Sequence, residues 1–367
     1  MRIAFYAPLK PPDHDVPSGD RRVARLLVEA LRLAGHEPFL ASHVRSLDPV
    51  GRPYRQKKLA SDGQRVAGRL IARWRARPDT APALWFTYHL YYKAPDYLGP
   101  AVSRALGIPY VVAEASVAMK RAEGPWAAGH RAVVDALRYA DRVIGLNPAD
   151  REGVLPFLSP GAFAELPPFL DAAAYGEATH VPGRPPSVVT VAMMRPGDKL
   201  ASYRVLGAAL AQLLDRAWTL DVIGDGPART EVEAELASLG DRVRYHGQLA
   251  AEAVGARLSG SDLFVWPAIN EAFGMALLEA QASGLPVVAG NSGGVGSVVA
   301  DCETGLLTPP GDADAFAAAV RRLLDDPARR AEMGGAARRK VLRHHDIAAT
   351  AKQLAVMLDA LRPNRAA

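Results

Sequence analysis

The 367-residue chain holds a single cysteine, Cys302, which excludes an internal disulfide framework and suits a reducing compartment. It lacks any apolar run near the ~18 residues that a membrane-spanning helix needs. Its opening segment, Met1-Arg2-Ile3-Ala4-Phe5-Tyr6-Ala7-Pro8, is too short and too soon broken for a secretory signal, and reads as a first buried strand. A cytoplasmic location is expected. There is no low-complexity tract and no short-period repeat. No Gly-x-Gly-x-x-Gly follows the first strand, which disfavours a two-domain dehydrogenase.

Charge is present but unevenly shared. Residues 1–170 carry 24 Lys and Arg against 16 Asp and Glu, whereas the remainder carries 20 against 23. Much of the excess falls between Arg45 and Arg77, where Arg52, Arg55, Lys57, Lys58, Arg65, Arg69, Arg73 and Arg75 face only Asp48 and Asp62. Leu59, Val66, Leu70 and Trp74 share one helical face there. A basic amphipathic helix of this kind suits an anionic membrane surface or an anionic acceptor; a solvated charged face over an ordinary core stripe is the alternative. Nucleic acid is disfavoured, because basic and aromatic residues are not interleaved in any readout motif.

Short runs of branched and aromatic residues alternate with helical patterns from end to end, which predicts parallel sheets wrapped by helices. Strands are expected at 2–7, 37–41, 83–88, 109–113, 142–146 and 163–166, with helices such as 21–33 and 128–139 between them. The second half repeats the plan, with strands at 187–193, 218–223, 242–246, 262–266, 286–289 and 305–307. The fold class is therefore α/β, with two doubly wound Rossmann-like units in tandem: 1–170 and 187–345. Residues 171–186, with Ala172-Ala173-Ala174 and Pro182-Gly183-Arg184-Pro185-Pro186, read as a linker. The tail 346–367 is expected to hold a helix able to return to the first unit. Ligands of open α/β sheets bind at the carboxyl ends of the strands, so the chemistry is expected in a cleft between the units.

The stretch Asn270-Glu271-Ala272-Phe273-Gly274-Met275-Ala276-Leu277-Leu278-Glu279-Ala280 sets two carboxylates eight residues apart across a loop-to-helix junction. If Gly274 opens the helix, residues 275–282 are apolar nearly all round and the helix is buried. Glu279 then needs a partner, either a cation or a pair of ligand hydroxyls, because an unpaired buried charge is destabilising by several kcal/mol.

This segment and its continuation resemble the retaining, nucleotide-sugar-dependent glycosyltransferases of the two-Rossmann-domain (GT-B) architecture, family-4 type. The resemblance is carried by Trp266-Pro267-Ala268-Ile269-Asn270-Glu271-Ala272-Phe273-Gly274, by Glu279-Ala280-Gln281-Ala282-Ser283-Gly284-Leu285-Pro286-Val287-Val288-Ala289, by Gly293-Gly294, by Thr304-Gly305-Leu306-Leu307, and by Pro310-Gly311-Asp312. It implies that Glu279 binds both ribose hydroxyls of the donor nucleotide and that Glu271 contacts the donor sugar. A core salt bridge and a helix N-cap are the respective alternatives. Phe273, Gly274 and Met275 would present backbone N–H groups to a diphosphate at a helix start. Arg195 and Lys199, after the first strand of the second unit, would neutralise the departing diphosphate, solvated loop cations being the alternative. Gly224 and Gly226 would line the nucleobase side, although a Gly-x-Gly after a strand reads equally as a turn. His246, on the next strand end, reads as structural. In the first unit Gly19 would approach donor phosphate or acceptor, and the loop 10–17 with Asp13, His14 and Asp15 would border the acceptor.

Three positions depart from the family pattern. Met193 stands where an Arg is usual, with the Arg-to-Lys spacing shortened. The active-site His usual past the fourth strand is absent from Glu114-Ala115-Ser116, leaving Glu114, Ser116 or His89 as acceptor-side candidates, with strand-end hydrogen bonding the alternative for His89. Ser297 stands where a Glu is frequent. Asp312-Ala313-Asp314 mimics a metal-binding Asp-x-Asp but reads as a helix N-cap. The resemblance implies no bound metal and no cofactor beyond the donor as substrate. Its expected partners are a nucleotide sugar and a hydroxyl acceptor, in solution or at the inner membrane surface. A nucleotide-sugar epimerase or hydrolase on the same frame, and a non-catalytic sugar-nucleotide-binding protein, are the alternatives left open.

Overall fold

The structure, a computed structural model, describes residues 1–16, 18–177, 184–272 and 274–361. Contacts divide the chain into two compact units: Met1–Pro167 with the helix Ile347–Asp359, and Pro168–Asp346.

Unit 1 contains strands β1 (Arg2–Tyr6), β2 (Glu37–Leu40), β3 (Leu84–Leu90), β4 (Tyr110–Ala115), β5 (Arg142–Gly145) and β6 (Phe163–Glu165), in the order β2-β1-β3-β4-β5-β6. All pairs are parallel. Ile3, Ala4, Phe5 and Tyr6 of β1 are fully buried, as expected for a strand covered on both faces. The helix Gly19–Leu33 begins two residues earlier than the sequence pattern suggests, because the Ser18 hydroxyl accepts from Arg21 N at 3.2 Å and caps it. It buries Ala24, Leu27, Ala30 and Leu31, and the C-terminal helix Ile347–Asp359 packs against it.

The basic helix Pro53–Ala76 turns its apolar side inward. Trp74, 3% exposed, meets the rings of Phe39 and Trp85 at 6.2 and 6.5 Å. Val66 and Leu70 pack on the same core, so the face that carries them and Trp74 is covered by the unit itself. Among the described residues no helix is long and apolar enough to cross a membrane.

Unit 2 contains β7 (Ser187–Val191), β8 (Thr219–Ile223), β9 (Val243–Gly247), β10 (Leu263–Trp266), β11 (Val287–Gly290) and β12 (Gly305–Thr308), in the order β12-β11-β10-β7-β8-β9, again parallel throughout. Ala172 and Tyr175, expected in a linker, are buried in this unit's core; residues 178–183 of that segment lie outside the described residues. Asp312 caps the helix Ala313–Asp325 by accepting from Ala315 N at 2.9 Å, the N-cap expected for this Asp-x-Asp.

Both strand orders reverse once, between β1 and β3 in unit 1 and between β7 and β10 in unit 2. At such a switch point the chain leaves adjacent strands in opposite directions and opens a crevice at their carboxyl ends.

Replacing Trp74 with Ala is expected to lower stability by about 3–5 kcal/mol, as for a fully buried indole. A urea unfolding curve reads this. A change within about 0.5 kcal/mol, as for surface positions, would place Trp74 outside the core.

Candidate functional site

At the switch point of unit 2, the loop after β7 delivers Arg195 and Lys199, and the loop after β10 delivers Glu271. Gly197, in the left-handed region at φ 84, turns the chain into the helix Asp198–Ala211, which places Lys199 in its first turn. The Lys199 ammonium donates to Glu271 Oε2 at 2.5 Å and lies 5.4 Å from the centre of the Trp266 ring. Trp266 Nε1 donates to the same Glu271 oxygen at 3.3 Å. One carboxylate oxygen thus holds an ammonium and an indole N–H together. Arg195 is exposed on the loop beside them.

The loop carrying Glu271 is held tightly. Asn270 Nδ2 donates to Asp198 Oδ2 at 2.8 Å, Ile269 N donates to Ser202 Oγ at 3.0 Å, and Gly294 N donates to the Glu271 carbonyl at 3.1 Å. A Cβ on Gly293 would collide with that carbonyl. Ala268 and Asn270 occupy the left-handed region at φ 54 and 50, a conformation that is unfavourable for such residues by about 1–3 kcal/mol each and that concentrates at functional sites.

Three residues beyond Glu271, Gly274 (φ 67) starts the helix Met275–Ala282, and no side chain caps it. Leu277 N and Leu278 N both bond to the Gly274 carbonyl. The N–H groups of Met275 and Ala276 make no backbone hydrogen bond among the described residues, and N–H groups at a helix start are of the kind that can receive an anion. Phe273 lies outside the described residues. Glu279 is 4% exposed in the body of this helix, as its apolar surroundings in the sequence suggest.

Gly224 and Gly226, at φ 141 and 154, have an internal reason to be glycine: a Cβ at either would strike the carbonyl of Ala192 or Met194. Their main-chain neighbours stitch this turn to the β7 loop through Met194 N to Asp225 O at 3.0 Å. His246 Nε2 pairs with the buried Asp221 Oδ1 at 2.6 Å, a structural partnership. Ser297 Oγ donates to the Gly294 carbonyl at 2.6 Å.

Unit 1 has a matching arrangement at its own switch point. His89 on β3 and Glu114 on β4 lie in the left-handed region at φ 63 and 59, inside strands that run two residues further than the sequence suggests. His89 Nδ1 donates to Asp20 Oδ1 at 2.9 Å. Asp150 also acts on His89, and Ser116 hydrogen-bonds Asp150. The expected His89, Glu114 and Ser116 therefore come together, joined by Asp20 and Asp150. Asp20 adjoins the Gly19 already singled out, and Asp150 follows an Asn-Pro turn that gives no chemical signal. Gly19 is the first residue of its helix, with open space where a Cβ would stand. In the neighbouring loop His43 Nε2 pairs with Asp13 Oδ2 at 2.6 Å, and Arg21 Nη1 donates to the His14 carbonyl at 2.7 Å.

Burial pulls the His89 imidazole down, but Glu114 and Asp20 outweigh it and hold the group above its ordinary value. The hydrogen bond from His89 holds Asp20 below the usual carboxylate range, whereas burial pushes Glu114 and Asp150 above it.

Two parallel six-stranded units, each with a charged pair at its switch point, define a protein of the two-Rossmann-domain, GT-B class. Residues 190–340, within unit 2, match the family model of "Glycosyl transferases group 1". The chain is 27% identical to the phosphatidyl-myo-inositol mannosyltransferase of Mycolicibacterium smegmatis over 94% of this chain and 90% of that one. It is 37% identical to the 2-deoxystreptamine glucosyltransferase of Streptomyces kanamyceticus over 124 residues, 33% of this chain and only 32% of the relative's length. Among solved structures, sucrose-phosphate synthase from Thermosynechococcus elongatus superposes with a TM-score of 0.72 at 24% identity, covering 98% of this chain and 99% of that one; this likeness shows the fold.

The His89 imidazole is expected to titrate above its ordinary value of about 6.5, and Asp20→Asn to bring that midpoint down. Ring-proton NMR across pH 4–9 measures both. A raised folded value makes the His89 contribution to stability full below about 6.5 and lost as pH rises through the folded value; the lowered Asp20 contributes fully above about 3.9 and is lost as pH falls through its folded value. The pair is therefore strongest between those limits.

Proposed function

We propose that the chain transfers a sugar from a nucleotide-sugar donor to an acceptor hydroxyl with retention of anomeric configuration. The observation that carries this reading is the Lys199–Glu271 ion pair three residues before the uncapped helix start at Gly274, within the stretch matched to the group 1 family. Unit 2 takes the donor. Its diphosphate accepts from the Met275 and Ala276 N–H groups, with Arg195 and Lys199 supplying positive charge as the glycosidic bond breaks. Glu271, released from Lys199, takes donor-sugar hydroxyls, and Glu279 takes the ribose hydroxyls. Gly224 and Gly226 let the nucleobase loop pack closely on the β7 loop.

Unit 1 takes the acceptor through His89, Glu114 and Ser116. In the transfer the bond from the anomeric carbon to phosphate oxygen breaks, and the bond to the acceptor oxygen forms on the same face. The acceptor proton passes to the departing phosphate, so no protein base is required. Neither metal nor cofactor enters this scheme.

The Asp20–His89 hydrogen bond favours a second reading. A carboxylate on Nδ1 leaves Nε2 free to take a proton, the arrangement of a base dyad, which would drive inversion. The direction of the His89 shift weighs against it, because the Glu114 and Asp20 carboxylates favour the protonated imidazole, which donates a proton rather than accepting one.

Incubation with a labelled nucleotide sugar and acceptor, followed by NMR of the anomeric centre, tests the reading; a retained linkage is expected and an inverted one overturns it in favour of the dyad. Lys199→Ala is expected to lower kcat/KM at least about 100-fold, the loss typical of a charge-stabilising donor, with folding intact by circular dichroism. Turnover of donor without acceptor would favour a hydrolase or epimerase. Membrane attachment through the charged side of the Pro53–Ala76 helix belongs to the same reading, and flotation with anionic vesicles measures it.

A further inference from the structure

The carboxylates of unit 1 outnumber the cations that face them. Asp20, Glu114 and Asp150 surround one imidazole, His89, and among the described residues Lys10 is the further cation acting on them, through Asp20. Asp20 is satisfied by the His89 hydrogen bond at 2.9 Å. Asp150 has the Ser116 hydroxyl, a neutral partner. Glu114 shares the His89 charge with Asp20 and accepts a hydrogen bond from the neutral Tyr88 hydroxyl, and its Oε2 is buried with no hydrogen-bond partner among the described residues. Three carboxylates against two cations leave one negative charge in excess when all are ionised.

An acceptor carboxylate or phosphate would add to that excess, and a neutral polyol would leave it. An ammonium would remove it, donating to the half-buried Glu114 and Asp150 carboxylates. The cluster is reachable, since the His89 and Asp20 side chains are 21% and 36% exposed. It also has an aromatic wall: the Tyr91 ring lies 4.9 Å from the His89 ring, and such a face attracts a cation or the edge of a saccharide ring. We infer that the acceptor is a cationic amino sugar or aminocyclitol whose ammonium is bound by Glu114 and Asp150. This rests on the transferase reading above and names its acceptor class.

The test uses the full chain, calorimetry at pH 7 and three probes of similar ring size: 2-deoxystreptamine, myo-inositol and myo-inositol monophosphate, each with and without a saturating nucleoside diphosphate chosen from UDP, GDP and ADP. The diamine is expected to bind at least about tenfold more tightly than the polyol, and the phosphate more weakly than either. Glu114→Gln and Asp150→Asn should each close the gap between diamine and polyol by about tenfold, while the nucleoside diphosphate still binds unit 2 and shows the fold intact. Equal binding of diamine and polyol, preference for the phosphate, or an unchanged gap in both variants overturns the inference and leaves the transferase reading standing. Absence of nucleoside diphosphate binding in the parent chain would overturn both.

Discussion

Each sheet of this protein has one place where adjacent strands send their connections in opposite directions, and the rest of the functional argument depends on what stands there. A parallel sheet buried on both faces tolerates an ionised group within it only with a partner, as Asp221 has in His246, so ligand-binding charge collects at the carboxyl ends of the strands. In unit 1 the β1–β3 crevice holds Asp20 against His89 at 2.9 Å. In unit 2 the β7–β10 crevice holds Lys199 against Glu271 at 2.5 Å. The two pairs have opposite polarity in context. The first sits among further carboxylates, and the second sits beside an uncapped helix start and an exposed arginine.

That contrast divides the chemistry. On the proposed reading an anionic diphosphate finds donors and positive charge in unit 2, where Glu271 holds Lys199 and exchanges it for sugar hydroxyls. A ligand with protons to donate finds acceptors in unit 1. Left-handed backbone at His89, Glu114, Ala268 and Asn270 marks the same two places independently of any resemblance. Strain of this kind persists only where surrounding structure over-determines it.

Most of the fold was legible in the sequence because fully buried parallel strands announce themselves as short branched runs, and 187–191, 219–223 and 263–266 did so within a residue or two. The burial of Glu279 was legible for the same reason, as a carboxylate in an apolar helix. The pairings were not. Lys199 and Glu271 are 72 residues apart, and Asp20 and His89 are 69 apart, so only the strand order brings each pair together. Asp20 and Asp150 went unseen because a lone acid beside a turn carries no spacing signal. Trp74 shows the opposite failure: an amphipathic pattern cannot say whether its apolar face meets a membrane or the protein's own core, and here Phe39 and Trp85 occupy it.

The central claim is that a donor diphosphate binds at the start of the helix Met275–Ala282 and competes with Glu271 for Lys199. Backbone and lysine-ammonium NMR shifts of the full chain, followed as a nucleoside diphosphate is added, test it most directly. The account predicts that the Met275 and Ala276 amides and the Lys199 ammonium move together and saturate with one dissociation constant. Saturable binding that leaves these three signals in place, and moves amides of unit 1 instead, would contradict it.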